Sequence, residues 1–260
     1  MPIIETDPKE KRAYDKDPTL MSKSQMLSLR KPCTMPYKYR YEDDIEGEEN
    51  EAMLRGTIVH TYCEEFFDEL EKAKNDNKAT TVYLAESIIE PYPPYTTNFI
   101  TIMDTVTNGK FDLIPKYKEV VGKFGSSIGT LDQVWEMDDG ELAVIDIKTS
   151  KYPYSLADIR LELAFYAELI NAKYIGAMFL GENEKYPNGK FFFEPLTSRL
   201  VTRLHKALDM VWKIRNDGSF VRKFGFQCIW CDYQDVCIEE LTRTELLQFQ
   251  ENKFKHKGIK

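Results

Sequence analysis

The sequence predicts an α/β protein, a mixed β-sheet with helices packed on it. Apolar residues recur at helical spacing early in the chain and again over Leu156–Ile170 and Ser198–Asn216. Short runs rich in β-branched and aromatic residues fill Lys118–Ile147. Two more such runs, Tyr174–Gly181 and Lys190–Glu194, alternate with the later helices. The order helices, three strands, helix, two strands, helix fits neither an all-α nor an all-β architecture.

Taken along the chain, residues 1–20 are charged and aperiodic, and are expected to form a loose leader. The segment Ser24–Tyr41 is aromatic and holds Cys33; an acidic loop follows. Ile58, Val59, Tyr62, Cys63, Phe66, Phe67 and Leu70 share a stripe, so Glu51–Lys74 is expected to be a helix. Helices are also expected at Val82–Glu90 and Asn98–Val106, parted by the breaker Pro91-Tyr-Pro-Pro-Tyr95. Strands are expected at Lys118–Phe124, Ser127–Met137 and Glu141–Ile147, with Asp138-Asp139-Gly140 as a tight hairpin turn. The last 22 residues, 239–260, read as a polar tail.

The 260 residues are 42% hydrophobic and 30% charged, an ordinary globular mix that excludes collagen-like, coiled-coil and disordered classes. No apolar run reaches the length of a membrane span, and the N-terminus lacks a signal core, so a cytoplasmic, intracellular protein is expected. The net charge of −8 argues against a protein that coats nucleic acid through overall charge. Any such contact must come from a local patch.

Ile128–Ser150 reads IGTLDQVWEMDDGELAVIDIKTS. Asp146 and Lys148 lie two apart on one strand and so share a face. The hairpin brings Asp132 of the preceding strand close to them. A carboxylate and an ammonium on an otherwise apolar strand need each other or a metal. Two carboxylates can hold Mg²⁺ or Mn²⁺ for phosphodiester hydrolysis, with the lysine orienting water or stabilising developing charge. The plainer reading is an Asp146–Lys148 ion pair at a strand edge. His60, near the start of the first long helix, could reach a metal site or could be a satisfied helix histidine.

Five cysteines, an odd count in a chain without a signal peptide, argue against a disulfide framework. Cys228, Cys231 and Cys237 form C-x-x-C-x-x-x-x-x-C, and Cys33 could add a fourth thiolate. Zinc and an iron–sulfur cluster both remain open; three close ligands and one distant lean toward iron–sulfur. Cys63 falls on the apolar helix face and reads as core.

Between Thr197 and Gly225, seven Lys or Arg stand against two acids. Arg199, Arg203, Lys206 and Lys213 share one helix face, where phosphates could bind. Tyr152 and Tyr154 could stack on unpaired bases. A solvated helix face and ordinary loop aromatics explain the same residues.

In this order the motifs resemble the RecB-like branch of the PD-(D/E)xK nucleases, with a restriction-endonuclease-like core. They are most similar to the CRISPR-associated RecB-like exonucleases, and also to the AddB nuclease domain and exonuclease V. The carriers are Cys33-Thr-Met-Pro-Tyr, Arg55-Gly-Thr-Ile-Val-His60, Gly129-Thr-Leu-Asp132, Asp146-Ile-Lys148-Thr149, Glu162-Leu-Ala-Phe-Tyr166 and the three-cysteine run. The usual Cys-Pro is absent, and glutamate stands at position 162 where the family has glutamine.

The resemblance implies a nuclease domain over 21–238. It implies Mg²⁺ or Mn²⁺ held by His60, Asp132, Asp146 and the Ile147 carbonyl, with Lys148, Glu162 and Tyr166 as catalytic or supporting groups. It further implies a 4Fe-4S cluster on Cys33, Cys228, Cys231 and Cys237 that joins the terminal segments. The implied substrate is DNA, single-stranded or with free ends, cut commonly five-prime to three-prime. Recombination, repair or CRISPR adaptation proteins are the partners it brings into view. A DNA-binding subunit with a vestigial site, and a zinc-stapled domain of other function, are the alternatives.

Overall fold

The computed structural model describes residues 3–5, 17–47, 51–75, 92–153, 155–225, 227–228 and 231–256. The helix expected at Val82–Glu90 lies outside them. In chain order the elements are β1 (Ile3–Glu5), β2 (Met21–Ser22), α1 (Lys23–Leu29), α2 (Met35–Tyr37), a π-helical turn (Lys38–Glu42), α3 (Glu51–Asn75) and α4 (Pro93–Thr107). Then come β3 (Tyr117–Phe124), β4 (Ser127–Glu136), β5 (Leu142–Lys151), α5 (Ala157–Ile170), β6 (Tyr174–Gly181), β7 (Lys190–Pro195), α6 (Ser198–Asp217), α7 (Gln234–Glu239) and α8 (Arg243–His256). The chain forms two compact units, residues 1–14 with 49–204 and residues 15–48 with 205–260. No helix among the described residues is long and apolar enough to cross a membrane.

The first unit is a mixed sheet in the order β1-β3-β4-β5-β6-β7. Neighbours are antiparallel except β5 and β6, which run parallel and are joined through α5. The hairpin between β4 and β5 pairs Gln133 with Ile145 and Glu136 with Leu142. Gly140, at φ 78°, turns it at a backbone angle that a side chain would oppose. Edge strand β1 sits inside the stretch expected to be a loose leader: Ile3 lies opposite Lys123 of β3. Helix α4 starts at Pro93, within the run expected to break helices, because proline is accommodated in a first turn where its missing N–H costs nothing.

One face of the sheet is covered by α3 and α4. Phe66 and Phe67 of α3 meet Phe99 of α4 edge-to-face, with centroids 5.2 and 5.7 Å apart. They pack on Trp135, Ile145, Ile147 and Met178 of the sheet, and Cys63 is fully buried among them. Helix α5 packs against β3, β4, β5 and β6. Its seat depends on two glycines paired across β3 and β4, Gly122 and Gly129. A Cβ at Gly129 would stand 3.1 Å from the Tyr166 ring, and one at Gly122 would stand 3.0 Å from Leu169 Cβ. The missing side chains let α5 approach close enough to bring Glu162 and Tyr166 over the strands.

In the second unit, Ser22 and Gln25 cap α1 reciprocally. Thr34 and Val221 tie its two chain segments together, through Thr34 N–H to the Val221 carbonyl (2.9 Å) and Val221 N–H to Thr34 Oγ1 (2.7 Å). Met35, Tyr39 and Tyr233 form a small core. Helix α8 occupies much of the stretch expected to be an irregular polar tail.

Gly129→Val is expected to destabilise the protein by about 1–3 kcal/mol through overpacking against Tyr166 and Leu169. Urea unfolding would read this as a lower midpoint at an unchanged m-value.

Candidate active site and a four-cysteine cavity

The first unit brings together side chains from five elements. Asp132 on β4 accepts a hydrogen bond from the Ile147 N–H of β5 at 2.7 Å, which fixes the carboxylate beside Asp146. His60 of α3 places Nδ1 3.6 Å from the same Asp132 oxygen. Lys148 stands between two carboxylates, with Nζ 2.7 Å from Asp146 Oδ2 and donating to Glu162 Oε1 of α5 at 2.7 Å. The Asp146 contact lacks the angle of a hydrogen bond, so among the described residues this buried oxygen has a charge neighbour but no hydrogen-bond donor. Tyr166, one turn on from Glu162, is buried beside them.

Glu119 on β3 joins this group and is absent from the sequence-based set. Its flanking residues pair as Lys118 with Gln133 and Val120 with Leu131, which puts Glu119 beside Asp132. Ligand atoms of His60, Glu119 and Asp132 lie within 4.8 Å of one another, the one such group of three His, Cys, Asp or Glu among the described residues. Glu119 adopts φ 47°, a left-handed conformation inside a strand that costs a non-glycine residue about 1–3 kcal/mol. Tyr117-Lys-Glu-Val120 carries no glycine to announce such a kink.

The electrostatics follow from burial. Asp132 has its carboxyl pushed up to about 6, first by burial, with His60 opposing and the charges of Asp146 and Glu119 adding to the rise. Tyr166 is held well above the usual phenol range by burial and then by Asp146, Asp132 and Glu162, so it stays a neutral hydroxyl. Crowded carboxylates with a buried, donor-less oxygen and an imidazole at ligand distance suit a divalent cation.

The chain matches the PD-(D/E)XK nuclease superfamily over residues 24–238. It belongs to that superfamily. Among solved structures, it is similar to SSO0001, at 17% identity and a TM-score of 0.42, over 90% of this chain and 93% of that one. It is also similar to a protein from Eubacterium rectale described as a candidate exonuclease, at 15% identity and a TM-score of 0.49, over 81% and 85% of the two chains. At these scores neither likeness carries the assignment, which rests on the family match. No curated protein matches the chain. Nucleases of this superfamily use a divalent metal and act on nucleic acid.

The second unit of the nuclease holds a cavity of about 390 Å³ lined by Cys33, Cys228, Cys231 and Cys237, with Tyr39 and Arg222 on its wall. All four cysteines are free thiols. Gly225 N–H donates to Cys228 Sγ at 3.4 Å. Burial raises the Cys231 thiol; the Tyr233 N–H opposes the rise, and the other three cysteines add to it. Burial also raises the Cys237 thiol, opposed by the Arg222 charge and a Tyr39 hydrogen bond.

Of the residues expected to meet DNA, Arg199, Arg203, Lys206 and Lys213 are exposed along α6, opposite the buried Leu200, Leu204 and Val211. Tyr152 packs edge-to-face on Phe179 and Tyr186, at 5.1 and 5.0 Å, in an aromatic cluster. Tyr154 lies outside the described residues.

In the metal-free nuclease, Asp132 keeps its proton to about pH 6, against about 4 in an unfolded chain. The folded state therefore binds more protons across that window, and this group's contribution to stability falls as pH rises through it. Urea unfolding in chelator is expected to show wild type losing stability relative to Asp132→Asn between pH 4 and pH 7. Parallel pH profiles would contradict the burial of this carboxyl.

Proposed function

We propose that the chain is a metal-dependent deoxyribonuclease acting on single-stranded DNA or DNA ends, with a structural iron–sulfur cluster in its second unit. The observation that carries the nuclease reading is the convergence of His60, Glu119 and Asp132 within 4.8 Å, with Asp132 tied by the Ile147 amide to the strand that bears Asp146 and Lys148. His60, Glu119, Asp132, Asp146 and the Ile147 carbonyl would hold the ion. Bound Mg²⁺ or Mn²⁺ supplies Lewis acidity at a phosphoryl oxygen and a water of lowered pKa.

The protein's own groups divide the remaining work. The Ile147 N–H holds Asp132 in one orientation. Asp146 and Glu162 keep the Lys148 ammonium in place, where it stabilises charge developing on the phosphate. Glu162 stands where the family resemblance places an amide, and here its Oε1 accepts from Lys148 Nζ at 2.7 Å. Tyr166 stays protonated and closes the apolar side of the site. Exonuclease action with five-prime to three-prime polarity follows the family resemblance. The exposed cations of α6 would supply salt-dependent binding along the strand.

For the cysteine cavity, the donor set and its surroundings favour an iron–sulfur cluster. A cavity of about 390 Å³ suits a polynuclear group. Arg222 on its wall keeps a buried Nε without an acceptor among the described residues, as a wall facing an absent anion would.

Anaerobically purified protein is expected to degrade end-labelled single-stranded DNA in Mn²⁺, and less well in Mg²⁺, because an imidazole ligand suits the transition metal better. Lys148→Ala should lower the cleavage rate by about 100-fold or more while DNA binding changes little, with circular dichroism checking the fold. If neither protein cuts and both bind, the chain is a binding subunit. Cys228→Ser is expected to lose iron, inorganic sulfide and visible absorption together. Colourless wild-type protein carrying stoichiometric zinc would refute the cluster.

A further inference from the structure

The C-terminal edge of β5 and β6 carries cations outside the carboxylate site. Lys148 pairs with Phe179 of β6, and Phe179 pairs with Lys190 of β7. Register partners share a face of the sheet, so Lys190 stands in one row with Lys148, two strand spacings or about 10 Å away. The loop that joins β6 to β7 adds Lys185, which is exposed.

That loop is held in one shape. Asn183 Oδ1 accepts from the N–H groups of Lys185 at 3.0 Å and Tyr186 at 2.8 Å, an Asx turn. Asn183 Nδ2 donates to the Tyr152 carbonyl at 3.5 Å and ties the loop to the segment after β5. The Tyr186 ring meets Tyr152 edge-to-face at 5.0 Å, and Tyr152 meets Phe179 at 5.1 Å. Tyr186 is thereby fixed beside the Lys148 row. Two ammoniums lie over its ring, Lys185 Nζ at 5.1 Å and Lys190 Nζ at 5.3 Å from the centroid. Neither makes an ion pair among the described residues, although Glu182 and Glu184 lie in the same loop. Like charges gathered on one ring repel each other, and a bridging anion would relieve them.

We propose that Lys185 and Lys190, seated on Tyr186, bind a backbone phosphate of the single DNA strand close to the one attacked beside Lys148. This rests on the nuclease reading of the carboxylate site. A strand that crosses the C-terminal edge of the sheet from Lys148 toward β7 meets Lys190 within two strand spacings. The Tyr186 ring is taken up by the ammoniums and by Tyr152, so the loop offers charge to the backbone and no platform to a base. Its contact is therefore independent of sequence. Tyr186 and Asn183 are positioning residues, acting through the two lysines.

The test compares full-length wild type with Lys185→Gln/Lys190→Gln and Lys185→Arg/Lys190→Arg double variants. Binding of a fluorescent oligothymidylate is read in chelator across a salt series, and its cleavage is read in Mn²⁺. In the glutamine variant the slope of log Kd against log salt is expected to fall by about 1.4, the share of two contacts on a single strand. Its KM at low salt should rise about tenfold while kcat holds, and the arginine variant should keep both the slope and the KM of wild type. An unmoved slope and KM in the glutamine variant, a loss of kcat in place of a rise in KM, or an arginine variant as impaired as the glutamine one would each overturn the proposal. If the glutamine double variant loses the wild-type circular dichroism, Lys185→Gln at the exposed position decides alone, with a slope lower by about 0.7 expected and an unmoved slope refuting it. Wild type that binds DNA and cuts none would overturn the nuclease reading itself, and is seen before any variant is compared.

Discussion

Three carboxylates stand close together on neighbouring strands, Glu119 on β3, Asp132 on β4 and Asp146 on β5. Like charges that close, largely out of water, cannot all stay ionised without a compensating cation. The rest of the first unit can be understood as a response to that demand. The β4–β5 hairpin fixes the register that lets the Ile147 amide hold Asp132. Helix α3 spends most of one face on the aromatic core and brings His60 toward the carboxylates. Helix α5 contributes Glu162 and Tyr166, and can do so because Gly122 and Gly129 leave it a flat seat. Lys148 alone is too little: it is shared between Asp146 and Glu162, and Asp132 still holds its proton well above the usual carboxylate range.

The second unit meets a different demand with different means. Four thiols line one cavity, where the Gly225 amide donates to the Cys228 sulfur and Arg222 is a nearby charge. Its two chain segments, distant in sequence, are tied by the Thr34–Val221 bonds and by the small Met35–Tyr39–Tyr233 core.

Much of this was legible in the residues. Asp132, Asp146 and Lys148 stood out because carboxylate and ammonium groups interrupt strands that are otherwise apolar. The helices were legible where an apolar stripe meets a core, as in α3 and α5. Glu119 was not, because Tyr-Lys-Glu-Val reads as ordinary alternation and only the left-handed kink at this residue distinguishes it. Strand β1 was missed because three residues in a charged stretch carry no period, and α8 because a mostly polar helix shows almost no stripe. Tyr152 looked like a stacking platform in sequence, yet its ring is engaged by Phe179 and Tyr186. Contacts of that kind depend on strands far apart in the chain, which local pattern does not encode.

The central claim is that the carboxylate cluster is a metal site. Calorimetric titration of Mn²⁺ into the chelator-treated protein tests it most directly, with Glu119→Gln and Asp132→Asn alongside. Saturable binding in wild type is expected, weakened in Glu119→Gln and lost in Asp132→Asn, while both variants keep the wild-type circular dichroism. Binding of equal strength in all three proteins, or none in wild type, would contradict the account.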